Sequence, residues 1–246
     1  VIKELVSSFL HGYAVNNNEY TGYDQFYLRD KPTPISAYQK RCKGFGKKLS
    51  QLLAVPRDRK ILDLGCGVGF LVFFLKRQGF DNVTGIDKNE NLISIAKSKV
   101  NAEFIVDDGI TYLEKQKTQY DIIFLWNVLE HIPKENVMKS LRVLHKSLSD
   151  DGFMVARTPN MTNIMAQGHF CDDFTHNTAF TEQSIAQVAK LAGFSNVEML
   201  NQFKFQNFKG RIKAVINWFL HKTLLWLRGG TECRVFYRNL YVVLRK

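Results

Sequence analysis

Residues 61–69 read Ile-Leu-Asp-Leu-Gly-Cys-Gly-Val-Gly, and the next apolar run ends in Asp87. Gly65, Gly67 and Gly69 fall where an apolar strand would turn into a helix. Lacking Cβ atoms, they let the backbone approach a ligand closely. A carboxylate at the tip of the following strand, here Asp87, is placed to accept both hydroxyls of a ribose. The chemistry of such a set is capture of an adenosine-containing molecule, and two residues decide which kind. A turn that cradles a pyrophosphate runs Gly-x-Gly-x-x-Gly/Ala. Here the third small position is Phe70, and Asp63 would stand beside any phosphate. A nucleoside carrying positive charge gains from a carboxylate there.

The elements that must hold these residues alternate. Residues 60–64, 83–86, 102–106, 121–126 and 153–157 read as strands. Residues 68–78, 90–99, 110–115 and 134–148 read as the helices between them, the last stopped by Ser149-Asp150-Asp151-Gly152. Repeated βα units imply a parallel sheet with helices on both faces. Ligands then sit beyond the strand C-terminal ends, where strand order reverses. Residues 35–54 read as a preceding helix, 182–192 as a later one, and 196–200 with 235–244 as a final strand pair. The expected fold is a Rossmann-like, seven-stranded, mostly parallel sheet. An N-terminal helical cap (residues 1–57) precedes the main domain (58–246). The domain carries a long polar lid loop (158–181) without structure of its own and a basic aromatic insert (202–230).

Composition narrows the partners. The 246 residues are 45% hydrophobic with a formal charge of +11, a field that favours anionic partners. The four cysteines form no Cys-x-x-Cys pair, so neither a zinc site nor a disulfide framework is expected. Val1–Leu5 lacks the basic-then-apolar pattern of a signal peptide, and no apolar run reaches the roughly 18 residues of a membrane span. A cytoplasmic protein is expected, peripheral at most. From Lys204 to Arg228 every charge is positive. On a helical wheel Ile212, Val215, Ile216, Phe219, Thr223, Trp226 and Leu227 share one face, while Lys213, Asn217, His221 and Arg228 line the other. Two readings stay open: a basic helix packed on its own domain, or a surface that meets lipid or a lipid-linked substrate.

The spacing over residues 61–69 resembles motif I of the class I S-adenosylmethionine (SAM)-dependent methyltransferases. SAM has no phosphate and carries an ammonium and a sulfonium, as the acidic turn requires. The resemblance covers residues 58–160 and implies SAM as cofactor. It implies that Asp63, Gly65, Gly67 and Gly69 form the cofactor turn and that Asp87 holds the ribose. Asp108, followed by Gly109, would accept the adenine amino group, with Lys88 and Ile110 flanking the ring. Trp126 to Ile132 resembles the Asn-Val-Leu-Glu-His stretch of many O-methyltransferases, so Asn127 would line the methionine portion. No Asn/Asp-Pro-Pro turn follows Asn127, which argues against methylation of a base amine. No Pro-Cys dipeptide exists for cytosine C5 chemistry. No acidic cluster suggests a divalent ion, so metal-independent transfer is expected.

Gly168 to His176 resembles the Phe-x-x-Asp-x-Thr-His segment of polysaccharide (O-antigen type) sugar O-methyltransferases. Phe26 to Arg29 and Tyr38 to Arg41 resemble N-terminal elements of the same group, which implies that Tyr38 and Arg41 clamp the cofactor or an anionic sugar. Ala179-Phe180-Thr181-Glu182 departs from the Leu-His-Pro-Glu of several such enzymes. A hydroxyl is a poor acid, so a base is useful as the methyl arrives, typically about 10²–10⁴-fold. Histidine suits the role. His176 is the first choice, with Asp173 orienting it, and His131 the second. The implied acceptor is a sugar hydroxyl of a surface polysaccharide, a lipid-linked glycan or a nucleotide sugar. The alternatives are a quinone-precursor or other small-molecule O-methyltransferase, an RNA methyltransferase, and a non-catalytic SAM-binding accessory protein. Nucleic acid is not the expected partner.

Overall fold

A computed structural model describes residues 28, 33–200, 208–227, 229, 235 and 237–246. Phe26, Tyr27, Arg29, Lys204 and Arg228 lie outside the described residues. The elements below all belong to one compact unit, Pro34–Lys246. They are α1 (Ile35–Leu49), β1 (Ile61–Leu64), α2 (Phe70–Arg77), β2 (Val83–Asp87), α3 (Glu90–Lys99), β3 (Glu103–Val106), α4 (Gly109–Lys115) and β4 (Tyr120–Trp126). After these come α5 (Lys134–Lys146), β5 (Leu148–Pro159), α6 (Ile164–Cys171), α7 (Glu182–Ala192), β6 (Asn196–Met199), α8 (Phe208–Leu227) and β7 (Asn239–Arg245).

The strands form one seven-stranded sheet in the order β3-β2-β1-β4-β5-β7-β6. β1 pairs in parallel with both β2 and β4, β4 with β5, and β2 with β3. β7 runs antiparallel between β5 and β6. The strand order reverses between β1 and β4, which opens a crevice at their C-terminal ends.

Both faces of the sheet are covered, which is why the strands read as unbroken apolar runs. Alternate residues of each strand feed opposite cores. Leu62, Ile123, Met154 and Val242 pack under α5 and α7. Ile61, Ile122, Val155 and Val243 pack under α1, α2 and α3. Caps fix the helix starts. Asn89 accepts from the backbone of Leu92 at α3, and Thr181 and Ser184 form a capping box at α7. Gly193, at φ 111°, ends α7 in a conformation that favours glycine.

Four expectations are corrected. α1 ends at Leu49, not residue 54. The helix expected over 134–148 ends at Lys146, and β5 starts at Leu148 and runs through the expected stop. A register shift in β4 lets Tyr120 pair with Leu148 before Ile122 pairs with Phe153. The lid is not structureless: α6 lies within it, and Asn160 bridges Phe180 across it. β7 begins at Asn239 instead of residue 235.

Candidate active site

The crevice is built from the turn after β1. Gly65 has φ 73°, and a Cβ there would meet Val128 Cγ2 at 2.5 Å. A Cβ at Gly109 would meet Leu64 Cγ at 2.5 Å. Any side chain at either position would force its neighbour to shift. Asp87 ends β2 and accepts from the backbone N–H groups of Gly67 (2.8 Å) and Asn89 (2.9 Å). The carboxylate therefore shapes the glycine turn and keeps lone pairs able to accept further hydrogen bonds. Asp108 caps α4 by accepting from Thr111 at 2.9 Å, with Gly109 and the half-buried Ile110 following it on the same rim. Lys88 is exposed beside Asp87, and its charge favours the ionised form of that carboxylate.

Asp63 is the anomaly. It is buried, and its Oδ1 has no hydrogen-bond partner. Burial, reinforced by Asp87, holds its carboxyl well above the usual carboxylate range. An unpaired buried carboxylate is costly. A cationic ligand seated beside it removes the cost, and the ammonium of SAM answers that description.

Tyr38 and Arg41, expected to clamp the cofactor or an anionic sugar, both lie against Phe70, the residue that follows the glycine turn. Tyr38 is fully buried, donates to the Val68 carbonyl at 2.6 Å and packs on Phe70 and Phe73. It steadies the glycine turn from behind. The Arg41 guanidinium lies 5.2 Å from the Phe70 ring centroid.

Beyond β4 the backbone is unusual. Among the described residues Asn127 is the only non-glycine with positive φ, at 63°. Strain of this kind persists where the surroundings over-determine it, and it clusters at functional sites. Here the surroundings are the Arg157 guanidinium, which donates to Asn127 Oδ1, and the Arg157 carbonyl, which accepts from its N–H at 2.9 Å. The turn delivers Glu130 and His131 in a single 3-10 turn, Leu129–His131, before α5 begins. The lid returns to this turn. Asn177 and Thr178 donate backbone N–H groups to the Glu130 carbonyl at 2.7 and 3.0 Å, and the Thr178 hydroxyl donates to the Ile132 carbonyl at 2.6 Å.

That stitching brings His131 and His176 together, with ring centroids 4.7 Å apart. Their tautomers follow from their partners. The Thr175 hydroxyl donates to Asp173 Oδ1 at 2.6 Å, so it must accept from His131 Nδ1 at 2.9 Å. The Phe170 carbonyl can only accept, so His176 Nδ1 donates to it at 2.8 Å. Each ring thus presents Nε2 as its acceptor nitrogen. Asp173 Oδ2 stands 3.9 Å from His176 Nε2. Burial, and then the neighbouring His176, push the His131 imidazolium down to about 4, so His131 is neutral near pH 7. Burial pushes the Glu130 carboxyl up to about 7. Neither of its oxygens finds a well-formed hydrogen bond, although Thr158 and Arg157 are near enough to favour its charged form.

The structure brings the three candidates His176, Asp173 and His131 together and adds Thr175 and Glu130 to the cluster. Thr175 is the threonine of the Phe-x-x-Asp-x-Thr-His segment and Glu130 the glutamate of the Asn-Val-Leu-Glu-His stretch, and the sequence alone gives neither side chain a partner. The search for an acidic cluster also overlooked one arrangement. Glu130, His131 and His176 bring ligand atoms within 4.8 Å of one another, a set able to hold a divalent cation.

The profile of the methyltransferase-domain family matches residues 36–199. The chain belongs to that family. Residues 36–199 form a class I SAM-dependent methyltransferase domain, and SAM is its cofactor. A ubiquinone biosynthesis O-methyltransferase of Rickettsia bellii is 36% identical over 109 residues, 43% of this chain and 44% of that protein. The methyltransferase thus spans less than half the length of this curated relative. A SAM-dependent methyltransferase of Archaeoglobus fulgidus shares the fold at TM-score 0.64 and 18% identity, over 91% of this chain and 99% of that one. The magnesium protoporphyrin IX methyltransferase of Synechocystis, solved with bound SAM, does so at TM-score 0.56 and 18% identity, over 93% of each chain.

Proposed function

We propose that the methyltransferase transfers a methyl group to the hydroxyl of a small aromatic acceptor of the quinone-precursor type. One observation carries the reading: a half-buried histidine pair, each ring fixed in its tautomer by the lid, is held at the turn that follows β4. This arrangement suits removal of a proton from a hydroxyl. A phenol, with a pKa of about 10 like tyrosine, yields that proton to histidine more readily than an alcohol does. The curated relative named for ubiquinone biosynthesis supports the small-molecule alternative over the saccharide acceptor.

When bound, SAM supplies the electrophilic methyl. Asp63 pairs with the ammonium, Asp87 holds the ribose, and Asp108 and Ile110 meet the adenine. The histidine pair takes one proton from the acceptor oxygen as it gains the methyl. Two imidazoles this close resist double protonation, so His131 stays neutral while His176, facing Asp173, receives the charge. A divalent cation on Glu130, His131 and His176 would lower the hydroxyl pKa in their place.

The test is product mass spectrometry with methyl-labelled SAM and a panel of ortho-dihydroxyphenyl, saccharide and nucleotide-sugar acceptors. Labelled phenol ether supports the reading. Label in the saccharides alone overturns it. Dialysis against a chelator, with activity restored by divalent cation, would assign the trio to metal instead of direct proton transfer.

A further inference from the structure

The basic insert was expected either to pack on its own domain or to meet lipid, and the structure turns its apolar face outward. Of the thirteen large hydrophobic side chains exposed among the described residues, nine belong to α8. They include Val215 (57% exposed), Phe219 (64%) and Trp226 (78%). Among the described side chains of α8 only His221 is buried. At about 100° per residue His221 lies roughly half a rotation from Ile212. The apolar arc of the wheel opposite His221, from Ile212 through Phe219 to Trp226, is exposed. This reverses the way a surface helix normally sits, and the patch is concentrated on one 20-residue element.

Charge selects the occupant. The 204–228 segment contains Lys204, Lys209, Arg211, Lys213, Lys222 and Arg228 and no acidic residue, within a chain of net charge +11. A second copy would bring the same basic helix against the first, and like charges oppose that pairing. An anionic lipid surface complements it. Trp218 and Trp226 lie toward the middle and the end of the helix, and tryptophan is favoured at the headgroup level. No helix of the described residues is long and apolar enough to cross a membrane. At about 1.5 Å per residue, α8 is about 30 Å long and has the form of a helix that lies in the interface plane.

We propose that α8 docks the methyltransferase flat on an anionic phospholipid bilayer, its outward apolar arc entering the headgroup boundary. The proposal is independent of the acceptor. The test is co-sedimentation of the full chain with phosphatidylcholine vesicles, with and without phosphatidylglycerol, alongside the double variant Phe219→Ser/Trp226→Ser and the charge variant Lys213→Glu/Lys222→Glu. S-adenosylhomocysteine binding is measured in parallel to show that each variant is folded. The wild type should partition at least about tenfold more strongly onto the anionic vesicles, and less so as salt rises. Each variant should lose about tenfold or more of that partitioning while keeping its affinity for S-adenosylhomocysteine. No partitioning by the wild type, or unchanged partitioning by the folded apolar variant, would overturn the proposal. So would a dimer in sedimentation equilibrium that Phe219→Ser/Trp226→Ser dissociates while vesicle binding is absent, which would assign the face to a second copy.

Discussion

Gly65→Ala perturbs the cofactor turn at its tightest point, and its cost divides into two parts that a second substitution separates. The added Cβ would stand 2.5 Å from Val128 Cγ2, inside the distance real contacts adopt. Overpacking of this kind costs about 1–3 kcal/mol. The backbone at φ 73° adds about 1–2 kcal/mol for any residue with a Cβ. The single variant should thus lose about 2–5 kcal/mol. Val128→Ala removes both γ-methyls. The nearest surviving atom, Val128 Cβ, is 3.7 Å from the new Cβ, an ordinary contact. The double variant should therefore recover the steric part and keep the conformational part. Urea unfolding of the wild type, both single variants and the double variant gives a double-mutant cycle. Its expected coupling is about 1–3 kcal/mol in favour of the double variant, with thermal midpoints moving about 2–4 °C per kcal/mol. S-adenosylhomocysteine affinity should fall in Gly65→Ala and return in part with Val128→Ala. A single variant as stable as the wild type, or a cycle in which the costs simply add, would refute this reading of the turn.

Asp63→Asn should stabilise the ligand-free protein at pH 8 by removing the cost of burying an unpaired ionisable carboxyl that the unfolded chain leaves ionised in water. It should also weaken S-adenosylhomocysteine binding by about 10–100-fold, the range of a lost charge-assisted hydrogen bond; denaturation and calorimetry read the two effects. The carboxyls of Asp63, Asp87 and Glu130 are all raised by burial. The folded state therefore holds protons that the unfolded chain releases near pH 4, so stability falls as pH rises from about 4 toward 7. Saturating S-adenosylhomocysteine should flatten that fall by placing an ammonium beside Asp63, which urea midpoints at several pH values will show. Thr175→Val breaks the link between Asp173 and His131 and should lower kcat by up to about 10²-fold with little change in KM. Thr175→Ser should restore it in the same turnover assay.

The fold was legible because the apolar runs at Ile61–Leu64 and Ile122–Leu125 lie buried on both faces, and because the glycines mark the strand-to-helix turn. Asp63 and Asp87 were legible for the same reason, since the strand ends fix their places. The rest depended on tertiary contacts. Leu148–Gly152 reads as a helix end, yet the register shift in β4 recruits it into the sheet. The segment Ile164–Cys171 has no marked apolar period, so its helix was hidden in the lid. Glu130 and His176 are far apart in the chain, and hydrogen bonds of Thr175, Asn177 and Thr178 with the turn at Glu130–Ile132 make them neighbours. The periodicity of α8 revealed an apolar face but not whether it is covered, which the exposure of Val215, Phe219 and Trp226 decides.

Calorimetric titration of the protein with S-adenosylhomocysteine, with NAD as the control, tests the cofactor crevice most directly. Saturable heat from S-adenosylhomocysteine at one site, lost in Asp87→Ala, and silence from NAD are the predicted results. Tight uptake of NAD with no heat from S-adenosylhomocysteine would contradict the account.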